Sequence, residues 1–96
     1  MDLRALNFNV DVYPNPFSHE TNNRFQLPET GHVMLKVYNT MGQEIQILAN
    51  TPYDAGTHTL QWDGTDMSGN EVPGGIYIYR IQVGDKVLSD RIQLIR

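Results

Sequence analysis

Short apolar alternations run through most of the chain. Phe8, Val10 and Val12 alternate with Asn9 and Asp11, the period of a half-buried strand. Tyr13-Pro14-Asn15-Pro16 ends that strand, because two prolines fix two φ angles and remove two backbone donors. Residues 24–27 alternate again before Pro28, and Glu29-Thr30-Gly31 reads as a turn. Val33, Leu35 and Val37 form one face of the next strand, with Met34, Lys36 and Tyr38 on the other. Residues 39–42 form a turn with Gly42 available for positive φ, and residues 44–48 form a fourth strand. A linker is expected over 49–56, which holds Asn50, Pro52 and Gly56. His58, Leu60 and Trp62 share a face of a fifth strand. Residues 63–70 form a polar loop that Pro73-Gly74-Gly75 closes. Residues 76–83, rich in isoleucine, valine and tyrosine, make the clearest strand, and a tight turn at Gly84-Asp85 leads into the last strand over 87–95.

Seven short strands at a spacing of roughly 10–12 residues predict an all-β, antiparallel, immunoglobulin-like β-sandwich with Greek-key connections. No window shows helical periodicity capped at both ends. The 96 residues form one domain. Residues 8–96 are assigned to the sandwich and residues 1–7 to a linker or an added start. A chain this short buries roughly 60–70% of its unfolded surface, enough for one core but not for a deep cleft.

Charge and composition narrow the function. The net charge of -4 gives no general grip on nucleic acid or on anionic lipid. Cysteine is absent, which excludes disulfides, thiolate metal sites and thiol nucleophiles. No apolar run approaches the roughly 20 residues of a membrane span, and the N-terminal residues do not form a signal peptide. The chain is therefore expected to be cytosolic or a piece of a longer precursor.

The chemistry-bearing residues give weak signals. Ser18-His19-Glu20 are consecutive loop residues, whereas catalytic triads draw on distant rigid elements. His19, His32 and His58 show no metal-ligand spacing, and His58 reads as a partly buried structural histidine. Asp63, Asp66, Ser68 and Asn70 supply oxygens that suit calcium but miss the EF-hand register; Asx turns account for the same composition. Trp62 with Tyr53, Tyr77 and Tyr79 suggests either a sugar-stacking row or core packing, with packing favoured. Neither paired carboxylates on strands nor a phosphate-cradling loop is evident. No cofactor is expected, and a binding or appendage module is favoured over an enzyme.

Five segments then carry a family resemblance. Val12-Tyr13-Pro14-Asn15-Pro16-Phe17 opens the series. It continues with residues 37–44, with Ala55-Gly56-Thr57-His58 and Trp62-Asp63-Gly64, with Gly74-Gly75-Ile76-Tyr77 and the strand to Arg80, and with Arg91-Ile92-Gln93-Leu94-Ile95-Arg96. In this order the chain resembles the type A C-terminal sorting domain of type IX secretion cargo over residues 8–96. The resemblance implies an address carried by secreted proteins of Bacteroidetes-type bacteria. It would be read by an outer-membrane translocon and commonly cut off by a sortase-like protease. The domain would pass through the periplasm to the cell surface or the medium, attached to an upstream cargo domain.

The residues it implicates are Tyr13, Pro14, Asn15, Pro16, Gly75, Tyr77, Arg91, Ile92, Leu94, Ile95 and Arg96. The family usually has lysine where Arg91 stands and often ends on lysine where Arg96 stands, so lysine-specific roles do not carry over. The last two strands, over 76–83 and 87–95, are expected to offer an exposed edge or face near the C-terminus for a partner strand or a second copy. Residues 62–77 are also similar to the Ig-like domain of the flagellar hook-capping protein, which implies an assembly module instead. The opening Tyr-Pro-Asn-Pro and the close on the last strand favour the sorting reading. A carbohydrate-binding accessory module of a secreted glycosidase is the third alternative.

Overall fold

The computed structural model describes residues 10–96. Phe8 and the segment 1–7 lie outside the described residues. Seven strands follow in order: β1 (Val10–Tyr13), β2 (Thr21–Leu27), β3 (Gly31–Asn39), β4 (Glu44–Tyr53), β5 (Gly56–Trp62), β6 (Gly75–Val83) and β7 (Lys86–Leu94). They form two antiparallel sheets, ordered β1-β2-β5 and β4-β3-β6-β7. The chain changes sheet after β2, after β4 and after β5. This is the immunoglobulin-like sandwich that the alternation predicts.

The core lies between the sheets and takes every second residue. Phe25 and Leu27 come from β2, Val33, Leu35 and Val37 from β3, Tyr77, Tyr79 and Ile81 from β6, and Ile92 and Leu94 from β7. Trp62 closes one end, 1% exposed, between Phe17 at 5.4 Å and Tyr77 at 5.2 Å. Burying side chains of this size contributes about 1.5–3 kcal/mol each.

Two sequence expectations change. Gly31 starts β3 rather than completing a turn, and Ala49 to Tyr53 extend β4 through the expected linker. Pro52 is tolerated there because β4 is an edge strand, so its missing donor breaks no ladder. Of the last two strands, β7 supplies the sheet edge, and β6 is held between β3 and β7.

Candidate functional site

The proline-rich entry and the last strand, at opposite ends of the sequence, meet in space. Asn15 lies against the outer edge of β7. Its Nδ2 donates to the Arg91 carbonyl at 3.0 Å, and its Oδ1 accepts the Gln93 N–H at 2.9 Å. Two residues on, the backbone takes over: the Phe17 N–H donates to the Gln93 carbonyl at 2.9 Å, and the Ile95 N–H to the Phe17 carbonyl at 2.8 Å. Phe17 thus bridges Leu94 in parallel. Prolines suit the flanking positions because a proline there leaves no donor unmet.

The other leg of the motif is tied to β2. The Thr21 hydroxyl donates to the Pro14 carbonyl at 2.8 Å, and the Asn22 amide to the Tyr13 carbonyl at 3.2 Å. The segment 13–17 therefore straps the edge of one sheet to the edge of the other. It also covers the C-terminal half of the β7 edge. Beyond it, Arg91 N–H is taken by the Asp90 carboxylate at 2.7 Å. By strand parity, the groups left open on that edge belong to Val87 and Ser89.

A second tie sits just past the C-terminal end of β7. The Arg96 guanidinium donates to the Val72 carbonyl at 2.8 Å, to the Gly64 carbonyl at 2.6 Å and to Glu71 at 2.6 Å. The guanidinium fork suits such convergent acceptors. Gly64 has φ +76°, and a Cβ there would lie 2.6 Å from the guanidinium. The same loop is held by Trp62 Nε1–H on the Thr65 carbonyl at 2.9 Å and by Tyr77 O–H on the Pro73 carbonyl at 2.5 Å. Burial raises the Tyr77 phenol pKa, so it stays a donor.

The expected site residues consequently separate. Asn15, Pro16 and Arg91 line one shallow hollow of about 340 Å³, together with Ile76, Asp90 and Gln93. Ile76 and Gln93 fall within segments that carry the resemblance but are not among the residues it implicates, and Asp90 lies outside those segments. Tyr13 stands on the outer face of the other sheet, with Arg24 6.0 Å from its ring centre. Tyr77, Ile92 and Leu94 are core residues and present no surface. Gly75, at φ +152°, shapes the start of β6. Pro14 is exposed within the strap, and Ile95 is exposed past β7.

The remaining chemistry has structural employment. Asp66 accepts the Ser68 and Asn70 N–H groups, and Thr65 donates to Asp63 at 2.5 Å, so the loop's oxygens build Asx turns. Among the described residues no three His, Asp or Glu side chains gather as a metal site. His58 binds the Asp54 carbonyl at 2.7 Å and packs on Phe25 and Tyr53. Trp62, Tyr77 and Tyr79 face the core, so they offer no platform for a sugar ring. Ser18 Oγ and His19 Nδ1 lie 3.2 Å apart in an exposed loop.

Fold and strap define an immunoglobulin-like β-domain. The sequence pattern of the FlgD Ig-like domain matches residues 15–86, and the chain belongs to that family. Among solved structures it is similar to dimeric latent PorU from Porphyromonas gingivalis, with a TM-score of 0.75 and 18% identity over 92% of this chain and 9% of that one. It is also similar to FlgD from P. aeruginosa, with a TM-score of 0.64 and 25% identity over 83% of this chain and 67% of that one. No curated protein matches the chain.

Proposed function

We propose that the domain is a non-catalytic export address. It directs a covalently attached cargo across the outer membrane through the type IX secretion system, is read by the translocon, and is cut away by a sortase-like protease. One observation carries this reading. The family match stops at residue 86 and begins at Asn15, yet the sorting-type segments include Tyr13-Pro14 and the whole of 91–96. Those flanking pieces are not loose additions. Through Asn15, Arg91 and Gln93 they form one bonded unit. A signal shared by unrelated cargoes must lie in the domain itself, and this strap is its distinguishing surface.

The test is an export assay. Residues 7–96 are fused behind a periplasm-directed fluorescent protein in a host with a type IX system and in a strain lacking the translocon. Surface or medium fluorescence only in the intact host supports the address. Periplasmic retention in both strains, with the domain folded, overturns it.

An assembly role of hook-capping type is the second reading. The family match and the 25% identity to FlgD favour it. It predicts stable association with a multimeric partner and no dependence of location on the translocon.

A further inference from the structure

The outer face of the four-stranded sheet has a charge pattern unlike that of the chain. The chain carries a net charge of -4. On this face Lys36 stands directly opposite Arg80, and Arg91 stands opposite Ile78, one diagonal step from Arg80. Like charges set opposite one another on a sheet are destabilising. On this face Glu44, opposite Tyr38, is bound by Lys36 at 2.6 Å. Among the described residues neither Arg80 nor Arg91 has an acid within ion-pair range.

Apolar surface lies between these cations. Ile76 is 37% exposed, and Ile78 is half-buried beside it on the same face. Two shallow hollows flank them. The first, of about 340 Å³, sets Ile76 beside Arg91. The second, of about 280 Å³, sets Ile78 beside Arg80, with Tyr38 and Ser89 at its sides. Each hollow thus sets one isoleucine beside one guanidinium with no acid in ion-pair range among the described residues; Asp90, whose carboxylate accepts the Arg91 N–H, also lines the first.

We propose that this face docks an acidic polypeptide segment of a partner protein, anchored by apolar side chains. A carboxylate satisfies each guanidinium by a charge-assisted, bidentate contact. The isoleucines reward an adjacent apolar side chain, which a sulfated sugar or a phosphate polymer does not bring. Two guanidinium groups are also too few for the counterion-driven binding of a phosphate backbone. Such a segment adds to the Lys36–Glu44 pair in offsetting the repulsion between Lys36 and Arg80. The face adjoins the strap, since Asn15 and Pro16 line its first hollow, and it would serve the domain in an export or an assembly role alike.

The test uses the folded chain and a short fluorescein-labelled peptide of glutamate and aspartate bearing two leucines. Titration should move the amide resonances of Ile76, Ile78, Arg80, Ser89 and Arg91, and leave Arg24, Gln26 and Thr59 in place. Replacing both arginines (Arg80→Gln with Arg91→Gln) should weaken binding at least about tenfold. The melting temperature of that variant should hold or rise, because it loses a like-charge pair and no ion pair. Arg24→Gln should leave the affinity unchanged, and added salt should reduce it. Binding weaker than millimolar, equal binding by the double variant, or shifts on the other sheet would overturn the assignment. So would a heparin fragment that binds this face more tightly than the peptide, since the ligand would then be a sugar polyanion.

Discussion

Asn15 and Gln93 are 78 positions apart and share a hydrogen bond of 2.9 Å, while the other end of the same amide holds the Arg91 carbonyl. One side chain replaces a strand partner on the β7 edge. Asn15→Ala should cost about 1–2 kcal/mol, the worth of two partly exposed hydrogen bonds. Asn15→Asp should cost more, because its second carboxylate oxygen faces the Arg91 carbonyl oxygen. Denaturant melts give the energies. Amide exchange should quicken at Gln93 and Ile95 and stay slow at Leu35; uniform quickening would show that the strap has no local role.

Arg96 and Gly64 form a second coupled pair. Arg96→Lys keeps the charge but cannot reach Val72, Gly64 and Glu71 together, so it should cost about 1 kcal/mol, and Arg96→Ala about 1–2 kcal/mol. Gly64→Ala strains the positive φ and displaces the guanidinium. A double-mutant cycle should therefore be strongly non-additive. Additive losses would separate the two residues.

Asn23 lies on the inner face of β2, 0% exposed, and among the described residues neither its Oδ1 nor its Nδ2 has a hydrogen-bond partner. An unpaired buried amide costs about 1–3 kcal/mol. Asn23→Leu, near in volume, should raise stability by about 1 kcal/mol in urea melts. A clear loss of stability in that variant would contradict the description of this amide as unpaired.

Alkaline pH should weaken the fold. Burial raises the Tyr79 phenol pKa, and the nearby Asp90 and Asp11 charges add to it; Tyr77 is raised by burial alone, against a lowering by Arg96. The hydrogen bond to Glu44 raises Lys36. Each folded pKa lies above its unfolded value, so the folded state binds more protons in the interval between them. Stability should be level below the ordinary tyrosine value of 10.0 and fall as pH climbs past it. Melting temperatures across that range check this, and Tyr79→Phe should flatten the decline.

Much of the fold was written in local pattern. Phe25, Val33, Leu35, Val37 and Trp62 could be assigned inward from alternation alone, because burial repeats every second residue on a strand. The β4 extension was hidden because Asn50 and Pro52 carry turn chemistry that an edge strand tolerates. The site was legible as motifs but not as an arrangement. Asn15 and Arg96 look like a turn residue and a surface charge, since their partners are set by long-range closure. Tyr77, Ile92 and Leu94 carry the family's pattern because the core needs them, so motif membership alone did not separate surface from interior.

The strap sets an order of events during synthesis. Asn15 leaves the ribosome early, but the carbonyl and amide it binds arrive only with Arg91 and Gln93. Until then Phe17 has no Leu94 to bridge, and β6 remains an open edge. The domain can therefore close only after Gln93 has been made. A product that stops before Arg91 would be distinguishable from one that includes β7 by its conformation both at Asn15 and along β6.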